Sequence, residues 1–265
     1  MTTVAHLRTA LSVEALKLRR SVVARLATAL LVLLVPLGSV GIVALARSPQ
    51  AVGPTAAKLA DYATGDLATT HLLVCAQVIA VAALVAGGFF LAWSFGRELE
   101  DGTAGALFGL AVPRGTIALA KCLVALAWIA ACVVLTVAVT VAASAAVTAA
   151  SGESFGPRAW AGASTALAAG LLGGGLTLPF AWVATVTRSQ LGTVGALVGI
   201  VALTQIVVLL GGGSWFLYAA PSLWTGMGGA DAAAAIGLPH LLLTAAVAPL
   251  AAAAVVHAWR RLTNV

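Results

Sequence analysis

The sequence predicts an all-α fold: a polytopic membrane protein with six transmembrane helices, an N-terminal amphipathic helix in the interface, and both termini in the cytoplasm. Three observations predict it. Of 265 residues, 62% are hydrophobic and only 8% charged, against roughly 45–50% apolar and about 25% charged in soluble domains. The 14 basic and 8 acidic residues cannot cover a soluble globule of this size, which excludes a soluble enzyme, a disordered tail and a disulfide scaffold. Six apolar runs follow one another at spanning length, and the basic residues collect at alternate connections between them.

Residues 4–20 carry too many charges to span. Val4, Leu7, Leu11, Ala15 and Leu18 recur at helical spacing and read as the apolar stripe of a helix lying in the membrane surface, with Arg8, Lys17, Arg19 and Arg20 as the face toward anionic lipid. Glu14 sits at the edge of the stripe. It fits either a surface pair with Lys17 three residues on or a specific partner in a cytoplasmic loop. The predicted spans are 26–46, 72–95, 122–149, 160–186, 191–211 and 236–258, in a single transmembrane domain over residues 1–265. The first exceeds the ~7–15 residues of a signal-peptide core and is preceded by residues 1–25, so it reads as an uncleaved span. The third is long enough to tilt or to extend past the bilayer. In the fourth, Gly173-Gly174-Gly175 and Pro179 predict a kink or break. Only Arg188-Ser189-Gln190 separates the fourth span from the fifth.

With the N-terminus inside, eleven basic residues fall on the cytoplasmic side and three outside, Arg47, Lys58 and Arg158. The positive-inside rule therefore places both termini in the cytoplasm. The net charge of +6 is accounted for by this orientation and calls for no nucleic acid. Outside, loops 47–71 and 212–235 are short, and Trp215, Tyr218 and Trp224 in the latter suit an interfacial aromatic belt. Cys75, Cys122 and Cys132 lie inside apolar runs without paired spacing, so neither a metal site nor a disulfide framework is predicted. His71, His240 and His257 lie near span ends and read as interfacial.

The catalytic motifs are absent. There is no G-x-x-x-x-G-K-[ST] loop, no H-E-x-x-H and no G-x-S-x-G, so no catalytic residue, metal or cofactor is expected on this chain. Every Asp, Glu, Lys and Arg falls in a loop or near a span end. This weakens a proton- or sodium-driven mechanism, which usually places ionisable residues at mid-membrane. Polar mid-span residues, Gln77, Thr136, Thr140, Thr177 and Gln205, fit either helix–helix hydrogen bonding or substrate contact. Gln77, Trp93, Thr177 and Gln205 are the candidate pathway residues. Small-residue pairs such as Gly170/Gly174 and Gly195/Gly199 arise readily by chance in so Ala- and Gly-rich a chain and carry little weight as dimer contacts.

The sharpest constellation is the loop 96–115 between the second and third spans. Glu98, Glu100 and Asp101 cluster where a short helix would begin, next to its positive end. Leu99, Thr103, Ala106, Leu107 and Leu110 form an apolar face, and Gly102, Gly105 and Gly109 would allow another protein's backbone to approach closely. A solvated loop marking the membrane boundary is the plainer alternative.

At Glu98, Gly102, Thr103, Arg114 and Lys121 this loop resembles that of the ABC-2 family of ABC-transporter permeases. The N-terminal stretch Glu14, Lys17, Leu18, Arg19, Arg20 is similar to the family's interfacial elbow helix. In one departure, the proline that the family has three residues before the arginine is Ala111 here, and Pro113 adjoins Arg114. The resemblance implies a permease half with six spans, paired with a second permease copy or paralogue. Each half would be served by a separate ATP-binding subunit that holds the ATP and Mg. The loop would be the coupling helix, with Glu98, Glu100, Asp101, Gly102, Thr103, Leu107, Pro113 and Arg114 as its docking residues. Within the family, small permeases export drugs, antibiotics or antimicrobial peptides from the bacterial cytoplasm. The Ala content, with eleven Arg to three Lys, suits a high-GC bacterial genome. An ion-coupled secondary transporter, a membrane enzyme or a structural membrane subunit are the alternatives.

Overall fold

The computed structural model describes residues 3–103, 105 and 112–262, and every regular element in them is helical. Six stretches are long and apolar enough to cross a membrane: Val22–Ala46, Leu67–Glu100, Arg114–Ala150, Pro157–Thr187, Gln190–Leu209 and Leu238–Arg261. We label the helices α1 (Thr3–Arg20), α2 (Val22–Ala46), α3 (Gly53–Ala63), α4 (Leu67–Glu100, with a π-helical turn at Ala92–Gly96), α5 (Arg114–Ala150), α6 (Pro157–Gly175), α7 (Leu178–Thr187), α8 (Gln190–Leu209), α9 (Ala220–Trp224), α10 (Ala230–Ala234) and α11 (Leu238–Arg261). The spans are α2, α4, α5, α6 with α7, α8 and α11.

Local chemistry sets the boundaries. Ser21 separates α1 from α2 and accepts from the N–H of Ala24 at 3.1 Å, an N-cap. The α6–α7 break falls at residues 176–177, where Thr177 Oγ1 donates to the Gly174 carbonyl at 2.7 Å and Pro179 occupies the first turn of α7. Arg188 ends α7 in the left-handed region (φ 51°), and Ser189 caps α8. At the opposite end of the bundle Asp66 caps α4, accepting from the Thr69 hydroxyl and, at 2.8 Å, from its N–H. These hydrogen bonds hold the Asp66 carboxyl below its ordinary 3.8. Its contribution to stability is therefore full above that value and is lost as pH falls through the lowered pKa. Asp66→Ala is expected to cost ~1 kcal/mol, the usual worth of an N-cap. Thermal unfolding in detergent should show the wild-type advantage at neutral pH and its disappearance in strong acid.

The core lies where α4, α5 and α6 meet, around Leu72, Ile79, Val133, Ala166 and Ala169. A seam of hydroxyls runs through it. Thr136, Thr140, Ser144 and Thr148 repeat every fourth residue on one face of α5 and are buried. Thr136, Thr140 and Thr148 each donate to the carbonyl four residues back. Ser144 meets His71 Nδ1 at 3.1 Å, and Thr140 meets Cys75 Sγ at 3.6 Å. Thr140 and Ser144 thus join α5 to α4, while Thr136 and Thr148 bond within their own helix. His71, in the second turn of α4, is buried against α5, where its Nδ1 meets Ser144. All three cysteines are free and buried.

The loop after α8 folds back onto the bundle: Ala219, Ala220 and Leu223 are buried, Trp224 packs on the core, and Tyr218 lies edge-on to Phe180. Trp215 alone of the three aromatics stays exposed, at 84%. α1 and the end of α11 lie at the same end of the bundle, since Lys121, two turns into α5, meets Glu14 of α1, and Arg114 donates to the Leu262 carbonyl.

Candidate functional site: a closed ring of charges at the terminal end of the second span

The three acids stand at the end of the second span, and the short helix expected to begin at them falls largely outside the described residues. Glu98 and Glu100 lie in the last turn of the second span, and Asp101 follows as its C-cap. Gly102 takes φ +67°, the left-handed conformation that ends helices and favours glycine. Thr103 closes the turn by donating to the Glu98 carbonyl at 3.2 Å. Each acid has a different partner.

Glu98 belongs to a ring. Lys17 Nζ lies 2.7 Å from Glu14 Oε1 and 2.8 Å from Glu98 Oε1, while Lys121 Nζ lies 3.0 Å from Glu14 Oε2 and 2.9 Å from Glu98 Oε2. Positive and negative groups alternate, so the four charges cancel. The last of these contacts is outside hydrogen-bond alignment and acts as a charge contact alone. The Lys121 side chain is fully buried. It also donates to the Ser94 carbonyl, at 3.2 Å, in the π-helical turn, and sits 5.5 Å from the Phe95 ring centre. A π turn inside an α-helix often marks a functional position; here it turns a carbonyl toward the lysine. Burial works against the Lys17 charge, but hydrogen bonds to Glu14 and Glu98 outweigh it and raise its pKa above the ordinary 10.5. The Lys17 contribution is thus intact below that value and is lost only as pH rises through the raised one.

Glu100 goes elsewhere. Its Oε2 accepts from the N–H of Gln190 at 3.0 Å, placing a carboxylate at the positive N-terminal end of α8. Gly96 makes that approach possible, because a Cβ there would lie 2.7 Å from Gln190 Cα. Asp101 pairs with Arg97 at 3.2 Å, both exposed, an interaction of little energetic worth. At the far end of the loop, Pro113 caps α5 and Arg114 donates to the carbonyl of Leu262 just past α11. Trp259 of α11 donates to Thr185 Oγ1 of α7 at 3.0 Å and meets Phe95 edge-on at 5.7 Å. Leu107, with Ala106 and Leu110, lies outside the described residues.

Several readings of the sequence change here. Glu14 has a partner of each kind that was open to it, Lys17 beside it and Lys121 from a distant element. Lys17 faces the bundle, not lipid, since it donates to Glu14 and Glu98. Arg19 and Arg20 remain exposed. Lys121 lies two turns inside α5, not in a loop: its charge is tolerated there because two carboxylates and a carbonyl meet it. Of the four pathway candidates, only Gln205 borders the large apolar groove. That groove has a volume of about 760 Å³ and runs between α2 and α4, past Leu30, Leu34, Val81 and Phe89, to Met227. Gln77 accepts from Tyr62 at 2.7 Å, Thr177 is buried in the α6–α7 break, and Trp93 borders a polar vestibule of about 350 Å³ beside the charge ring. Phe89 and Met227 were not foreseen, since an apolar residue in an apolar run gives no signal of what it faces.

A family model described as ABC-2 family transporter protein matches residues 10–211. The chain belongs to that family. It is therefore a membrane permease of the ABC transporter class and not itself a catalyst. The match takes in the whole ring from Glu14 to Lys121 and the first five spans, and ends before α11. Among curated proteins none matches the chain.

Proposed function

We propose that this permease is the pathway-forming half of an ATP-driven exporter in the bacterial cytoplasmic membrane. It pairs with a second copy or a paralogue, and a separate subunit binds and hydrolyses ATP with Mg. The loop between the second and third spans is the docking element. The observation that carries this reading is the convergence on one helix end: the last turn of the second span is tied to α1 and α5 through Glu98 and to the start of α8 through Glu100. A push on the loop would move the N-terminal helix α1 and the third and fifth spans together. The apolar groove beside α2 and α4 suits an amphiphilic or apolar cargo, such as a drug, antibiotic or peptide. None of the described charged residues borders it, which favours ATP-driven over ion-coupled transport.

The test is co-purification of the tagged chain with a co-expressed ATP-binding subunit in lipid discs, comparing wild type, Glu98→Gln and Arg114→Ala. Wild type is expected to retain the subunit and to stimulate its ATP hydrolysis when cargo is present. Both variants should lower that stimulation within the 5–150-fold range of about 1–3 kcal/mol of coupling. Unchanged assembly and unchanged stimulation in both variants would sink the reading.

A further inference from the structure

A second groove, of about 480 Å³, runs down the outer side of α2 against α5. Its two ends differ chemically. At the terminal end stand Arg19, in the last turn of α1, and Arg25, in the first turn of α2, one on each side of the Ser21 break. Along its length run Ala29, Val32, Leu33 and Trp128. The polar groups on that wall are already committed: Trp128 Nε1 donates to Thr28 Oγ1 at 3.0 Å, and Thr28 donates to the Ala24 carbonyl at 2.8 Å. The depth of the groove therefore offers hydrocarbon contact and no free donor. The arginines are in the opposite condition. Arg19 has no hydrogen bond or ion pair among the described residues, and Arg25 has only a long contact of its Nε to the Ser21 carbonyl, at 3.4 Å. The acids at this end are engaged elsewhere: Glu14 and Glu98 in the ring, Glu100 at α8, Asp101 with Arg97.

We infer that this groove is a binding site for an anionic phospholipid, its phosphate held by Arg19 and Arg25 and one acyl chain laid along Ala29, Val32, Leu33 and Trp128. Guanidinium forks match phosphate oxygens in pairs, and basic pockets between spans on the cytoplasmic side take anionic headgroups. The assignment to that side rests on the orientation proposed above. A free phosphate would leave the apolar wall bare, so the occupant is a lipid. Bound there, it bridges α1 to α2 across Ser21 and presses the helix that carries Glu14 and Lys17 against the bundle.

The test is the unfolding temperature of the full chain in dodecylmaltoside, titrated with phosphatidylglycerol, with phosphatidylcholine, or with inorganic phosphate. Phosphatidylglycerol alone is expected to raise it. An Arg19→Gln/Arg25→Gln double variant should bind it about 30-fold more weakly, the worth of two basic residues near a charged surface. Ala29→Phe keeps both arginines and fills the groove with an apolar side chain, and should weaken binding as well. Lys58→Gln, on α3 and away from the groove, should not. Equal stabilisation of wild type and the double variant would overturn the inference. So would the same effect from inorganic phosphate or phosphatidylcholine, or a lipid-independent dimer whose formation Ala29→Phe abolishes, which would make the groove an interface between copies.

Discussion

Lys121→Met is expected to destabilise the permease by ~3–5 kcal/mol, the cost of breaking a buried ion pair from one side. The size follows from what remains. Glu14 and Glu98 would share Lys17 alone, leaving one negative charge uncompensated beside a Glu14 side chain only 6% exposed. Methionine fills the volume of the lysine stem, so the loss reports charge and not a cavity. A double-mutant cycle makes the argument specific. Adding Glu14→Gln to Lys121→Met leaves Glu98 and Lys17 as a balanced pair 2.8 Å apart, so the double variant should recover much of the stability lost by the single one. Thermal unfolding in detergent measures both. Strictly additive losses would mean that the four residues do not act as a unit. The ring need not add net stability over an apolar replacement, since desolvation opposes its Coulomb energy. Its consequence is geometric: α1, the end of the second span and the start of the third are held in one arrangement.

The architecture was legible because membrane spans are written in composition. A run such as residues 191–211 can bury its backbone polar groups only as a helix, and one polar break, Arg188-Ser189-Gln190, was enough to divide two spans. The site was half legible. Glu98 and Arg114 stand out as charges at a boundary, and the resemblance to a family singled out Lys121. But placing the third span after Lys121 followed the rule that lysine is costly within a membrane, and that rule fails where carboxylates from elsewhere in the chain neutralise it. Those partners lie 107 and 23 residues away in sequence, from the positions of Glu14, Glu98 and Lys121. Nothing local to Glu100 announces that it caps a helix 90 residues later. Contacts between distant segments are set by how the spans pack, and spacing along one helix does not report them.

Glycine shows the same limit and gives the second prediction. Gly170, Gly174, Gly195 and Gly199 look alike as small-residue pairs, and Gly173 lies in a triplet without a pattern of its own. In the structure they part company. A Cβ on Gly173 would come within 2.2 Å of the Ala80 carbonyl oxygen and 2.7 Å of its Cα, so backbone meets backbone where the second and fourth spans cross. Gly170 and Gly174 face Val133 and Ile129, side chains of the same chain, and Gly195 and Gly199 face open space. Gly173→Ala must therefore push two spans apart, because a carbonyl in a helix cannot turn aside as a side chain can. It is expected to cost at least the ~1–3 kcal/mol of an overpacked core, and Gly173→Val more. Gly195→Ala meets nothing and replaces a poor helix former with a good one, so its stability should hold or rise by up to ~1 kcal/mol. Unfolding temperatures of the three variants decide it. A tolerant Gly173 would mean that the two spans are not in backbone contact. An intolerant Gly195 would instead reveal a partner on the face of α8 that is bare in a single chain. Ala80 and Glu98 belong to one helix, so separating the second span from the fourth also shifts the end that carries the ring. Gly173→Ala should accordingly lose cargo-stimulated ATP hydrolysis with its stability, whereas Gly195→Ala should keep both.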